Sequence, residues 1–573
     1  MLQGRRFVIT GVNHLVVRVA RALDAQRAQV TVLRRAGEDA GPLRLLPDSC
    51  RVLDSSEQED IPALLAADLA SAACLLPLAE DDLDNLRIAV AASQAAPDVP
   101  VVLRAFDPAL ADELEQGLNI RRAYSVSALA APAFLAAACG DTVVETLRLG
   151  DGEVPLCRLV VDPGSPLIGR TTAAMKQRFG CAVIARSVNA DDWQPVRGDG
   201  ADAEIALGDH LLIGGPLLLL LRAIFLNAGH IREGRRQPRV ARRARRGPSR
   251  RGVRHATLVP YIAAPLGVVL LLAVWVFGRA LHLRLVDAIY FVVTTATTTG
   301  YGDISLKDSP DWIKLFGCLV MVSGGALVAI LFSYFAAVAT AERLDILMGR
   351  RASRLSGHVI VVGLGNLGYR VTRLLTDSGI GVAVLEIDPD ARYGEALRPA
   401  VPVLTGDARL PENLDRASVG QASAFIACTN DDLANIQSCL HARRLNPIIK
   451  TVARVFDEAL SEKLTAAFTI DTALSASQCA VSAFVGAASD ERALRPLTVG
   501  GLRLIACRRV VGPAVTAETL AEWRAAGIRV LAFAGTDDIL RPARDIGPAA
   551  FADGDEVILC GPADAVQAVM EDT

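Results

Sequence analysis

Two short stretches of this chain carry residue types with definite chemical uses. Residues 294–303 read TTATTTGYGD. Threonine hydroxyls and a row of backbone carbonyls could coordinate a cation, but Gly-Tyr-Gly also suits a turn or a strand end, where glycine supplies positive φ. The flanks must decide. Residues 358–375, HVIVVGLGNLGYRVTRLL, place GxGxxG at Gly363, Gly365 and Gly368. Gly363 permits a tight turn, Gly365 lets a pyrophosphate approach the backbone, and Gly368 lets helix and strand pack closely. The helix N-terminus then faces the phosphates. Glu386 ends the second strand about 20 residues on, where a ribose-hydroxyl acceptor belongs. The plain alternative for Glu386 is an exposed acid at a strand end.

The elements around the first stretch are apolar and long. Residues 256–278 run 23 residues without a charge and residues 315–341 run 27. Each is enough to cross a hydrocarbon core of roughly 30 Å as a helix. The stretch 285–297 between them is amphipathic and too short to cross, so it reads as a re-entrant pore helix, with 298–303 following as extended backbone. Such backbone is tolerated at membrane depth only where protein buries it or it lines water. A third apolar stretch, 211–228, is interrupted by Gly214-Gly215-Pro216 and holds Arg222. It reads as a soluble strand, a turn and an amphipathic helix, because a central arginine costs roughly 2.5–3.5 kcal/mol on insertion.

At 573 residues the chain is too long for one core. Its formal charge of −3 hides a run of eleven arginines against one acid between Arg232 and Arg254. A nucleic-acid arm is one reading of that run. Lying directly before a span, it fits better as a cytoplasmic flank touching anionic headgroups, with no nucleic acid. Arg343, Arg350, Arg351 and Arg354 follow the second span, so both ends are expected in the cytoplasm. Eleven cysteines stand singly with no CxxC spacing, which signals neither zinc nor a disulfide framework. The start, MLQGRRFVITG, passes straight into a strand-like run, so no signal peptide is expected.

The two ends of the chain resemble each other. EDDLDNLRIAV is echoed by NDDLANIQSCL, LRAFDPALADEL by ARVFDEALSEKL, and AYSVSALAAPAF by ALSASQCAVSAF, all at an offset of 350 residues. Further out, ALGDHLLIGGP matches ADGDEVILCGP. This is a duplication with a membrane hairpin inserted between the copies. Each copy opens as strand, glycine turn and helix, which argues for a parallel α/β sheet. In the first copy Gly11 survives, but Asn13 replaces Gly365, Val16 replaces Gly368 and Arg34 stands where Glu386 stands. That site is expected to be a scaffold without a dinucleotide, or else to hold a different anion on Arg34.

Together these residues resemble potassium channels with two membrane helices per subunit and regulator-of-K⁺-conductance (RCK) domains. The match runs through LVDAIYFVVTTATTTGYGDI, GLGNLG, LEIDPD, LTGDAR, CTNDDLANI and TVARVFD. The resemblance implies a membrane α-helical pore flanked by two Rossmann-like α/β domains, each with a smaller α+β C-terminal lobe. The expected order is a Rossmann-like lobe at 1–140 and its C-lobe at 141–231, an arginine linker at 232–255, the pore at 256–341 and a gating linker at 342–355. The second Rossmann-like lobe then occupies 356–486 and its C-lobe 487–573.

Thr298, Thr299, Gly300, Tyr301, Gly302 and Asp303 would form the selectivity filter. Carbonyls of Thr298 to Tyr301 would replace the hydration shell of K⁺. Four chains would surround one axis, so a homotetramer is implied. The family usually has valine where Thr299 sits, and the added hydroxyl needs a partner when buried. Gly324 and Gly325 would hinge the second helix, or else pack it closely against a neighbour.

By the same resemblance Gly363, Gly365, Asn366, Leu367, Gly368, Glu386, Asp407, Ala408, Thr429, Asn430 and Arg454 would line a nucleotide site. NAD(H) is the first expected ligand and an adenine mononucleotide the second. Calcium is a rival, although Asp431 and Asp432 read better as a helix start. An NAD-dependent oxidoreductase would need an acid–base group beside the nicotinamide, and the seven histidines form no motif. A regulatory subunit of a separate transport system would lack its own filter.

Overall fold

The structure is a computed structural model. It describes residues 2–35, 38, 40–55, 60–106, 119–150, 152–198, 204–229, 258–347, 355–456, 470–489, 495–511, 515–546 and 551–571, with backbone only at 258–263, 266 and 334–347. The arginine run 232–254 and residues 348–354 of the expected linker 342–355 lie outside the described residues. The chain divides into two compact units, one formed by 1–240 with 351–573 and the other by 241–350.

The first unit contains both copies. In the first, strands β1 (Arg6–Thr10), β2 (Gln29–Arg34), β3 (Arg51–Asp54), β4 (Cys74–Pro77), β5 (Val101–Arg104) and β6 (Ile120–Tyr124) form a sheet in the order β3-β2-β1-β4-β5-β6, every pair parallel. A five-stranded antiparallel sheet follows, from β7 (Thr142–Leu149), β8 (Gly152–Val160), β9 (Ala182–Ser187), β10 (Gln194–Pro195) and β11 (His210–Gly214), in the order β10-β9-β11-β8-β7.

The second copy repeats this plan. Strands β12 (Val359–Val362), β13 (Val382–Glu386), β14 (Val403–Thr405), β15 (Ala424–Ala427), β16 (Lys450–Arg454) and β17 (Thr472–Leu474) lie in the order β14-β13-β12-β15-β16-β17. Strands β18 (Arg495–Val499), β19 (Leu502–Val510), β20 (Arg529–Ala534), β21 (Leu540–Pro542) and β22 (Glu556–Pro562) then form β18-β19-β22-β20-β21. That is the first copy's antiparallel order read from the other edge. Strands β4, β12 and β15 are buried along their whole length, which is why they read as unbroken apolar runs rather than alternating ones. The stretch 211–228 is indeed strand β11 followed by the helix Leu217–Asn227, whose Leu218 and Arg222 are exposed while Leu220, Leu221 and Ala223–Asn227 are buried.

The copies are joined by an exchange of helices. Phe134 and Leu135, on the first copy's helix Val126–Ala138, share a core with Val359, Leu367 and Val371 of the second. Conversely Ala480 and Phe484, on the second copy's helix Ala476–Ser489, share a core with Phe7, Leu15 and Val19 of the first. Tyr124 meets Phe484 edge-on with ring centroids 5.4 Å apart. The two antiparallel sheets also share one core, in which Leu147 and Leu156 meet Leu497 and Leu531. Arg495 and Glu145 tie them with an ion pair at 3.1 Å.

The second unit is helical, with Leu258–Ala280, Leu285–Ala296 and Asp311–Leu347. The last is continuous over 37 residues. It starts before the expected 315 and runs into the expected gating linker, because nothing between Ala341 and Leu347 breaks a helix. Among the described residues Asp311–Ser333 is long and apolar enough to cross a membrane. The small core is built on Phe277, which meets Phe291 edge-on at 5.1 Å and Phe316 at 5.6 Å. Trp275 at 66% exposure and Phe332 at 77% show that large apolar side chains also face outward.

Candidate functional site

The glycine loop of the second copy leaves β12 at Gly363, whose φ is +88°, and enters the helix Asn366–Asp377 at Gly365. Each glycine has its own reason. A Cβ on Gly368 would lie 1.9 Å from the Gly363 carbonyl oxygen, and one on Gly363 would lie 2.9 Å from the Thr429 side chain. A Cβ on Gly365 would meet nothing within 4 Å. The space there is open, and no side chain caps the helix. Its first N–H groups therefore face a cradle suited to an anion.

The other expected residues line the C-terminal edge of the same sheet from β14 to β16, on both sides of the crevice between β12 and β15 where the strand order reverses. Glu386 ends β13 and accepts from the backbone N–H of Leu364, closing the loop, and from Asp388 N–H at 3.0 Å. Asn366 accepts from the Tyr393 hydroxyl at 2.6 Å. Leu367 and Ala408 are buried and serve as walls. Asp407 is held by Arg409 through 2.7 and 3.0 Å contacts, and that guanidinium keeps its carboxyl below the usual carboxylate range. Thr429 donates to Asn435 at 2.7 Å. Arg454 donates to Asn430 at 2.7 Å and lies over the Phe456 ring at 4.7 Å, and burial draws its guanidinium below its ordinary value.

Asp431 caps the helix Asp432–Leu445 by accepting from Ala434 N–H at 3.1 Å. Asp432 accepts from Phe456 N–H at 3.0 Å, and burial raises its carboxyl. Both carboxylates thus serve the backbone. Among the described residues there is no group of three or more His, Cys, Asp or Glu placed to hold a metal ion.

The first copy shows why its site differs. Asn13 caps the helix His14–Asp24, its Oδ1 accepting from Leu15 N–H at 2.9 Å and Val16 N–H at 3.1 Å. Its Nδ2 donates to the Leu78 carbonyl at 2.7 Å. The side chain itself occupies the helix N-terminus that a phosphate would use. Arg34, the alternative anion holder, is paired with Asp54 at 2.7 Å.

In the helical unit Leu285–Ala296 ends at Thr297, and the chain turns into 298–303. Thr299 and Gly300 N–H groups both donate to the Thr294 carbonyl, at 2.9 and 3.2 Å. Thr298, Gly300 and Gly302 have φ of +59°, +52° and +79°, while Thr299 and Tyr301 do not. Successive carbonyls of a regular strand point to opposite sides. Positive φ at every second residue breaks that alternation, as in the ion-binding concavities formed by mixed-handed backbone. The Thr299 hydroxyl finds the partner it needs in Thr297, 2.9 Å away. Tyr301 stacks on Tyr290 with centroids 6.4 Å apart, and Asp303 is exposed. A Cβ on Gly324 would lie 2.4 Å from Ala296 Cα, so Gly324 is a packing glycine, whereas Gly325 would meet nothing within 4 Å.

Comparison with known proteins matches both regions. The ion channel family matches residues 266–341 and the TrkA-N domain matches residues 359–476. Potassium channel protein 1 of Methanocaldococcus jannaschii is 28% identical over 185 residues, 31% of this chain and 54% of that one. A Trk system potassium uptake protein TrkA homolog of Pyrococcus abyssi is 35% identical over 100 residues, 18% of this chain and 44% of that one. The chain spans less than two thirds of the length of the curated relatives it matches. A solved structure of the GsuK channel bound to NAD covers 99% of this chain and 78% of its own at 15% identity, with a TM-score of 0.50, a likeness of fold. The chain thus joins a region matching the ion channel family to one matching the TrkA-N domain, a pairing in keeping with potassium channels that carry RCK domains.

Proposed function

We propose that the chain is one subunit of a homotetrameric K⁺-selective channel of the plasma membrane, gated by a nucleotide on the second RCK copy. The observation that carries this is the Thr298–Gly302 backbone. It follows a short helix between two long apolar ones and has positive φ at alternate residues. Carbonyls of Thr298, Thr299, Gly300 and Tyr301 would line the ion path. The pore helix would direct its negative end toward the cation. The outward-facing Trp275 and Phe332 suit lipid or a neighbouring subunit. Both long helices would span, the arginine run 232–254 would lie on anionic headgroups, and both termini would be cytoplasmic.

The regulatory ligand is NAD(H) or an adenine nucleotide. Gly365 leaves the cradle open, the uncapped helix would face the phosphates, and Glu386 at the end of β13 would meet the ribose. The NAD-bound GsuK channel shares the fold. Calcium has less support, because Asp431 and Asp432 are engaged by backbone N–H groups.

The test is ion flux into proteoliposomes, with NAD⁺, NADH, ADP, AMP and Ca²⁺ added in turn. K⁺-selective flux altered by a nucleotide is expected. Tyr301→Ala or Gly302→Ala should abolish flux while nucleotide binding persists. Flux unchanged by those substitutions would overturn the pore assignment. Nucleotide binding with no intrinsic flux would favour a regulatory subunit of another transport system.

A further inference from the structure

The duplication lets one half of the inter-copy interface be read against the other. Arg18, on the first copy's opening helix, crosses to the second copy. It donates to the Ser477 hydroxyl at 2.8 Å, to the Phe456 carbonyl at 2.9 Å and to the Ser475 hydroxyl. Its counterpart on the second copy's opening helix is Arg370, in RVTRLL against RVARAL. The matching acceptors on the first copy are Ser125, Ser127 and the Phe106 carbonyl. The paired serines bond to each other in both copies, at 3.0 Å for Ser125 and Ser127 and 3.1 Å for Ser475 and Ser477, and Ser125 also donates to the Phe106 carbonyl at 3.3 Å. Among the described residues Arg370 makes no hydrogen bond or ion pair within 4 Å, although its charge opposes the rise that burial imposes on the Glu153 carboxyl. A half-buried guanidinium with no close partner among the described residues keeps a donor fork for an acceptor.

Arg370 instead lines a cavity of about 630 Å³ between the copies. Its own wall holds a second cation, Arg392, 5.3 Å over the Tyr393 ring. Tyr393 in turn stacks on Tyr369, with centroids 4.3 Å apart, and donates to Asn366. The Arg392 guanidinium therefore stands on an ordered aromatic wall, and Arg370 lines the same cavity. The facing wall comes from the first copy. Asp81 accepts from Leu83 and Asp84 N–H groups and Asp82 from Phe106 N–H, so these carboxylates are engaged. Glu80, whose charge is felt by Arg104 and Arg454, and Ser127, whose hydroxyl is shared with Ser125, complete that wall and keep acceptor capacity for a ligand.

We infer that this cavity, which adjoins the glycine loop at Asn366, is a second ligand site, taking an organic phosphate that carries hydroxyl or amino groups. A bare anion would leave Glu80 opposed, and a cation would face two guanidinium groups. A phosphate ester meets both walls, its phosphate on Arg370 and Arg392 and its hydroxyl or amino groups on Glu80 and Ser127. A nucleotide and a simple sugar phosphate share that chemistry.

The experiment is calorimetry on the full chain in detergent, with AMP and ribose 5-phosphate as probes. A Gly365→Asn background fills the glycine loop. At least one probe should still bind once per chain there. Adding Arg370→Gln or Ser127→Ala should weaken it, the arginine change at least tenfold, with part restored by Arg370→Lys. Each variant is checked for an unchanged unfolding midpoint. Binding of both probes identifies a sugar phosphate as sufficient, and binding of AMP alone shows that the base is needed. No binding in the Gly365→Asn background overturns the site, as does binding indifferent to Arg370→Gln. Indifference to Ser127→Ala overturns its two-walled character. Retained NAD⁺ binding in Gly365→Asn would count against the glycine-loop reading and leave this result to stand on its own.

Discussion

Gly365→Asn should separate nucleotide binding from stability, because the first copy already displays the outcome. Asn13 there takes the N–H groups of Leu15 and Val16 at 2.9 and 3.1 Å. The equivalent groups in the second copy belong to Leu367 and Gly368. Gly365 has φ −75° and open space at its Cβ, so asparagine fits without strain. As an N-cap it should change stability by only a few tenths of a kcal/mol relative to glycine. The same side chain removes two donors from a phosphate. Hydrogen bonds to charged groups are worth about 1.5–3 kcal/mol each, so the loss is about 3–6 kcal/mol. At about 1.4 kcal/mol per decade that is at least a hundredfold in Kd. Calorimetric titration of NAD⁺ and ADP against wild type and variant, beside thermal unfolding, reads both quantities. Affinity within threefold of wild type, with unfolding unchanged, would refute the placement of the phosphates on this helix.

Three further outcomes are expected. Thr299→Val removes the hydroxyl bonded to Thr297, an effect of about 0.5–1.5 kcal/mol; the K⁺/Na⁺ permeability ratio should persist while filter inactivation kinetics change, as bilayer recordings would show. Gly324→Ala drives a methyl against the Ala296 backbone and should reduce flux or tetramer yield, whereas Gly325→Ala meets open space and should be tolerated unless Gly325 is the hinge; liposome flux and size-exclusion chromatography distinguish these. Asp141 is pushed up to about 8, chiefly by burial, with Asp162 adding to the shift and Lys450 opposing it. Unfolded, it titrates near 3.9. Between about pH 4 and pH 8 the folded chain holds a proton that the unfolded chain has lost, so this group's contribution to stability falls as pH rises through that window. Asp141→Asn should flatten that slope in unfolding midpoints measured from pH 5 to 9.

What was legible in the sequence was local. GLGNLG with Glu386 announced its strand, turn and helix, because each glycine answers a clash within the motif or with the neighbouring strand. The short helix before Thr298 was visible as an amphipathic stretch between two long apolar ones. The constant offset of 350 residues foretold the repeated sheet order. Long-range partners were not legible. Nothing near Asn13 says that its amide reaches Leu78, and nothing near Asp407 says whether Arg409 or a ligand holds it. Tyr369, Arg370, Arg392 and Tyr393 were passed over because their meaning depends on the other copy. The one available signal was the alignment of Arg18 with Arg370, which asks why two like residues end in unlike company.

The exchanged helices carry a consequence for synthesis. The helix Val126–Ala138 finishes its core only against residues beyond 358, and its reciprocal Ala476–Ser489 is made 350 residues later. At ribosomal rates of about 5–20 residues per second, that gap lasts roughly 20–70 s. Throughout it, the face of the first copy around Phe7, Leu15 and Val19 has no cover from Phe484, and the apolar helices of the second unit emerge in the interval. Until the carboxyl-terminal copy arrives, the first copy's half of this shared core stays open to water and to other chains.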